Sequence, residues 1–271
     1  KHSEELSNKI KKILNVNYAI TTPNGTISLF LALKGVGVGI GDEVIIPGLS
    51  FIATASAVIL AGAKPVFADV ATYDCNILPE EIEQLINSST KAIMPVHING
   101  RNADLEEIMK ISNKYGIPVV EDAAQALGSK YNGESLGTVA NAGSISLAPT
   151  KIITSAQGGL VLTNEKEIFE TIIKLKDHGR LMRKWNFHHE IGFNFKFNDI
   201  LAALAVVQLK RLSERLEKAK HDYIQYCDGL GEISEIEFFK TNLSNGNIPL
   251  WVDIKLKRNR EHFIDFMEKI N

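Results

Sequence analysis

The sequence predicts an α/β protein: a mainly parallel, doubly wound sheet flanked by helices, with a smaller α/β domain following it. Two observations carry this expectation. Four apolar, strand-like runs ("DEVIIPG", "KPVFADV", "KAIMPVHI" and "IPVVED") alternate with helical stretches of roughly ten to fourteen residues. The chain has 271 residues and 45% hydrophobic composition, enough to bury a full core.

In chain order, residues 3–14 alternate apolar and charged positions at helical spacing, and "YAITT" (18–22) reads as a short strand end. "NGTISLFLALKGVG" is a turn opening directly into an apolar helix. After the strand "DEVIIPG" comes the helix "SFIATASAVILAGA", with Ser50 as its expected N-cap, and then the strand "KPVFADV". "LPEEIEQLINSS" reads as a helix with Pro79 near its start, and "ADLEEIMKISNKYG" as a helix ended by Gly116. "GSISLAP" and "GGLVLTN" are both strand-like, followed by a helix from Glu165 to about Asp177. Beyond a basic and aromatic loop, "DILAALAVVQLKRLSERLEKAKHDYIQY" is expected to form one long helix leaving the sheet domain. The division expected is residues 1–228 for the larger domain and 229–271 for the start of the smaller one. The uncapped amphipathic stretch "REHFIDFMEKIN" suggests that this second domain is incomplete here.

A net charge of −2 gives no footprint for nucleic acid or an anionic membrane surface. Cys75 and Cys227 are far apart and lack a CxxC partner, so neither a metal site nor a disulfide framework is expected. No apolar run reaches the roughly 18 residues of a membrane span, and the opening residues lack a signal-peptide core. The expected setting is the cytoplasm.

Three places could carry chemistry. Asn24, Gly25 and Thr26 offer free N–H groups, a hydroxyl and the positive end of a helix dipole, which suits a phosphate. Alone, they read more simply as an N-cap with a turn glycine. The nearby "GVGVGIG" does not match GxGxxG spacing and follows a helix, so it is a loop. Glu121-Asp122 ends a strand where ligands gather in such sheets, and small residues follow it, leaving room for a flat ring. Alone, the pair is as readily a helix cap. Lys151 stands in the apolar setting "APTKII", and apolar surroundings lower a lysine's pKa from about 10.4 and prepare it for Schiff-base chemistry. Alone, it is a snorkelling surface lysine; Ser146, five residues earlier, adds a second phosphate donor. Together, a phosphate cradle, a strand-end acid and, about thirty residues later, a desolvated lysine meet the needs of pyridoxal phosphate.

The motifs "NGTISLFLAL", "GDEVIIPGLSFIATASAVILAGAKPVFADV", "TKAIMPVHINGR", "IPVVEDAAQALG", "SISLAPTK" and "GFNFKFNDILAAL" occur in this order from about Tyr18 to Leu212. In them the sequence resembles the DegT-type nucleotide-sugar aminotransferases, pyridoxal phosphate enzymes of fold type I. The resemblance implies that Lys151 bonds the cofactor and shuttles the proton, that Asp122 partners the pyridinium, and that Gln125 lies beside the phenolic oxygen. It implies phosphate contacts from Gly25, Thr26 and Ser146, and ring stacking by Phe51, which the residues alone would assign to the core. Asn194 matches an asparagine that reaches the cofactor phosphate of the neighbouring subunit, so a homodimer with shared sites is implied.

Gln157 replaces the usual acid in "AQGG", "ISL" replaces "FSF" before the lysine, and Phe195 replaces a tyrosine in "NFKF". Lys151 is retained, unlike in the family's dehydratase branch, which has histidine there. The implied reaction takes an amine from L-glutamate and gives it to a nucleotide-linked keto-sugar. "KIITS" looks most like the branch acting on GDP-4-keto-6-deoxymannose, the perosamine type. His178, Arg180, Arg183, His188 and His189 are candidates to meet a diphosphate, or else form a solvated basic loop. Two rivals remain: a cofactor-binding regulator without turnover, and an α/β binding module with a structural lysine.

Overall fold

The computed structural model describes residues 1–180 and 187–270. Its larger part opens with α1 (His2–Leu14), β1 (Tyr18–Thr22), α2 (Gly25–Gly35), β2 (Glu43–Pro47), α3 (Ala53–Leu60) and β3 (Lys64–Ala68). Then come α4 (Pro79–Leu85), β4 (Thr90–Ile93), a 3-10 turn (Ile98–Gly100), α5 (Leu105–Tyr115) and β5 (Val120–Asp122). A small hairpin, β6 (Lys130–Tyr131) with β7 (Glu134–Ser135), precedes β8 (Ala142–Ser146), β9 (Gly159–Thr163) and α6 (Lys166–Lys176). Beyond the basic loop lie α7 (Asp199–Leu209), α8 (Leu212–Leu230), β10 (Ile236–Phe238), β11 (Ile254–Leu256) and α9 (Arg260–Ile270).

Two hydrogen-bonded blocks, β3-β2-β4 and β1-β9-β8-β5, are joined by parallel bridges from Ile93 to Val119 and from Val96 to Asp122. The order is therefore β3-β2-β4-β5-β8-β9-β1, parallel except that β9 runs against both β8 and β1. Strands buried on both faces need apolar residues at every position. On β9, Leu160 and Leu162 face the core beneath α1 and α7, while Val161 faces that beneath α2 and α6. Helix α2 is buried from Ser28 to Leu33, consistent with its apolar sequence all round.

Local chemistry sets the ends of the elements. The Asn24 side chain accepts from the Ile27 N–H to cap α2, Asp104 caps α5, and Gly116 closes α5 in the left-handed region.

The structure corrects three expectations. Ser50 does not cap α3, which begins at Ala53; its hydroxyl bonds Thr54 Oγ1 instead (2.6 Å). Helix α4 stops at Leu85 because Asn87 and Thr90 side chains take up the backbone N–H groups of Ser89 and Asn87. The long helix is two: Lys210 and Arg211 bond back only three residues, and Arg211 leaves helical geometry (φ −102°, ψ 6°). That break lets α7 pack on α1, while Tyr223 of α8 meets Phe238 of β10 edge-on.

Candidate cofactor site

The site lies where β5 and β8 end and α2 begins. Because side chains alternate along a strand, Glu121 and Asp122 leave β5 in opposite directions. Glu121 is fully buried, and its carboxylate accepts from the N–H groups of Gly137, Val139 and Ala140 (2.7–2.8 Å) and bonds His97 Nε2 (2.9 Å). His97 Nδ1 accepts from the Ala103 N–H, so Nε2 carries the proton shared with Glu121. Glu121 is therefore a saturated structural acid, and Asp122 is the member of the pair free to serve a ligand.

Asp122 is also buried. Its Oδ2 accepts from Thr54 Oγ1 (2.8 Å) and its Oδ1 from the Ala124 N–H (3.1 Å). Burial pushes its carboxyl above the ordinary carboxylate range, against the pull of these two hydrogen bonds and of the Lys151 charge. Lys151 lies on the loop after β8, its amine 5.2 Å from the centroid of the Trp251 ring, lining a cavity of about 500 Å³ with residues of α8 and of 249–252. Burial lowers the pKa of its amine, and Asp122 works in the opposite sense.

The phosphate cradle expected at Gly25 and Thr26 lies directly against Ser146. A Cβ on Gly25 would sit 3.1 Å from Ser146 Cβ and 3.3 Å from its Oγ, so a side chain here would crowd Ser146. Asn24 takes the N–H groups of Ile27 and Ser28, and those of Gly25 and Thr26 are left for a ligand at the positive end of α2. Gln125 turns its Oε1 to the Asn99 N–H (2.8 Å), leaving its amide NH2 as a donor.

Phe51 is 71% exposed, which corrects the core assignment its residue type alone suggested. It stands on the loop into α3, three residues from Thr54. Asn194 joins none of these contacts. It is exposed and bridges Asp177, and its side-chain amide has no hydrogen-bond partner among the described residues. Phe195 packs without a hydroxyl, stacked on Phe193 and edge-on to Phe30.

In the basic loop, Arg180 and Lys196 both hold Asp177 (2.8 and 2.9 Å). Burial raises the Asp177 carboxyl, but these partners outweigh it and bring it down to about 2. His188 bonds the His178 carbonyl, His189 packs edge-on against Phe187, and Arg183 lies outside the described residues.

Sequence reasoning missed Thr54, Asn99 and Trp251. Thr54 sits in a run of small residues, and Trp251 reaches Lys151 across a hundred residues of chain, so no spacing reveals either. Among the described residues no cluster of His, Cys, Asp and Glu fits a metal, and no helix is long and apolar enough to cross a membrane.

A desolvated amine, a buried carboxylate and an N–H cradle at the end of a mainly parallel sheet define a pyridoxal 5′-phosphate protein of fold type I, and the residues present fit that cofactor. Residues 1–271 match the DegT/DnrJ/EryC1/StrS aminotransferase family, and the chain belongs to it. It is 36% identical to a GDP-perosamine synthase of Escherichia coli O157:H7 over 217 residues, 80% of this chain and 60% of the relative. It is also 36% identical to a pleiotropic regulatory protein of Geobacillus stearothermophilus, over 84% of this chain and 61% of the relative. The chain thus spans about three fifths of the length of these curated relatives. The crystal structure of NtdA from Bacillus subtilis with bound cofactor PMP superposes with a TM-score of 0.90 at 29% identity, covering 100% of this chain and 62% of that one.

Proposed function

We propose that this protein is a pyridoxal-phosphate-dependent aminotransferase that moves an amino group from L-glutamate to a nucleotide-linked keto-deoxysugar. The observation that carries this reading is Lys151, a desolvated amine within the field of buried Asp122. When bound, the cofactor supplies the electron sink that lets a proton leave the Cα of an amino acid. The Lys151 amine would hold the cofactor at rest and, when free, would take the donor's Cα proton and give one to the acceptor carbon. Asp122 keeps the ring nitrogen protonated, and the Thr54 hydroxyl favours its ionised form. Gly25, Thr26 and Ser146 hold the phosphate, Gln125 donates to the phenolic oxygen, and Phe51 covers the ring.

The GDP-perosamine synthase relative and the "KIITS" stretch favour GDP-4-keto-6-deoxymannose as acceptor. A homodimer in which Asn194 reaches the neighbouring subunit's phosphate is supported by the exposure of Asn194 and of apolar Ile40, Ile59, Phe67 and Ile200. Unpaired Cys75 and Cys227 favour a reducing cytoplasm. That α8 ends at Leu230, next to a separate β10–β11 ribbon, favours the division at 228/229.

The test is the visible spectrum of the full-length protein before and after L-glutamate. A cofactor band that falls with glutamate and returns with the keto-sugar supports the reading. No band, even after incubation with pyridoxal phosphate, overturns it. The name of the Geobacillus relative favours a second reading, a regulator without turnover. That protein would show the band without responding to glutamate.

A further inference from the structure

Four residues of the 97–101 turn and the 248–253 segment fasten these two stretches together beside the site. Asn99 is buried, at φ 51° and ψ 34°, in the left-handed region that asparagine tolerates. Its side-chain amide imitates a strand: Nδ2 donates to the Trp251 carbonyl and Oδ1 accepts from the Trp251 N–H, both at 2.7 Å. Two residues on, buried Arg101 grips Asp253 with two parallel 2.8 Å bonds. The backbone N–H of the same Asn99 donates to Gln125 Oε1. The backbone of Trp251 is thereby fixed, and its ring lies 5.2 Å from the Lys151 amine, inside the roughly 6 Å range of a cation–π contact.

We propose that Trp251 is a positioning residue for Lys151: its indole face is the resting place of the lysine ammonium whenever that amine is not bonded to the cofactor. This rests on the cofactor reading above and goes beyond it. A lysine that bonds a cofactor and later shuttles a proton must be released and recaptured in every cycle. A free ammonium on a flexible stem would otherwise explore the open cavity. The ring gives it one preferred position and favours its charged form against desolvation. The other charged or titratable groups facing the amine are Asp122 on β5 and, across the cavity, Arg215, Lys218, Asp222 and Tyr226 on α8. Of these, Lys218 is paired with Asp222, and Arg215 donates to the Ile152 carbonyl.

The test measures the pKa of the Lys151 amine by competitive acetylation with acetic anhydride across pH, read by mass spectrometry of the Lys151 peptide. It uses the full-length wild type, Trp251→Leu and Trp251→Phe, each before and after excess L-glutamate. The expected result is a midpoint lower by on the order of one pH unit in Trp251→Leu, because the charged amine loses its partner. Trp251→Phe, which keeps a ring face, should stay close to wild type. An unchanged midpoint in the leucine variant, or an equal drop in the phenylalanine variant, overturns the proposal. The glutamate arm separates the two readings. Lys151 shielded before glutamate and labelled after it supports the cofactor reading, and labelling that ignores glutamate counts against that reading alone. The comparison between the variants stands in either case.

Discussion

Thr54, in the first turn of α3, donates a 2.8 Å hydrogen bond to Asp122 Oδ2 at the end of β5, 68 residues away in sequence. Ser50 extends the relay by bonding Thr54 Oγ1, so two hydroxyls stand behind one buried carboxylate. A hydrogen bond to a charged group contributes about 1.5–3 kcal/mol. Thr54→Val keeps the shape and removes the donor. Pyridoxal phosphate should bind that variant roughly tenfold more weakly or worse, as an absorbance titration would show.

Asp122→Asn should separate stability from function. Burial holds the folded pKa of Asp122 above its unfolded value, so within that window the folded chain binds the extra proton. Stability is then fullest below the unfolded pKa and declines as pH rises through the folded one. An asparagine escapes this loss and still offers an acceptor to Ala124. Cofactor-free Asp122→Asn should melt with the wild type near the unfolded carboxylate pKa, about 4, and above it at pH 8. Its affinity for pyridoxal phosphate should fall all the same. Thermal melts at the two pH values, with cofactor titrations, check both halves.

Glu121→Gln should do the opposite. Three backbone N–H groups and an imidazole converge on this carboxylate. An amide would turn a donor towards donors and leave at least one of them unsatisfied in a dry interior. A loss of about 1–3 kcal/mol for each donor left without a partner is expected. Urea unfolding should show it as a lower midpoint, while the Asp122 variant shows none.

The contrast between these neighbours shows what could be read from sequence. Alternating strands and helices give the parallel sheet, and strand-end chemistry places Asp122, Lys151 and Gly25 at one edge. That much is local pattern. "ED" does not say which acid faces the ligand, because that depends on where the 137–140 loop donates its N–H groups. The reversed direction of β9, the break at Lys210-Arg211 and the reach of Trp251 to Lys151 are likewise set by long-range packing. Phe51 went the other way. Its residue type says core, the family resemblance implied stacking on the cofactor ring, and the structure leaves it exposed.

Gly159 offers the sharpest test of the phosphate cradle. In register it lies between Thr22 on β1 and Ser146 on β8, directly beneath the Asn24-Gly25 turn. A Cβ there would stand 2.5 Å from Ser28 Oγ and 2.6 Å from the Asn24 carbonyl carbon and oxygen, closer than real contacts allow. Ser28 is bonded to Thr22 and has nowhere to go, so the backbone of the turn must move. Gly159→Ala should therefore lift the start of α2 away from Ser146 and spread the N–H groups of Gly25 and Thr26. Overpacking of this kind costs about 1–3 kcal/mol, and here the strain falls on the proposed phosphate cradle. The variant should bind pyridoxal phosphate about tenfold or more weakly and bind unphosphorylated pyridoxal as the wild type does. Equal losses for the two ligands would mean that the turn moves as one with Asp122 and Lys151, and that the cradle is not a separable part of the site.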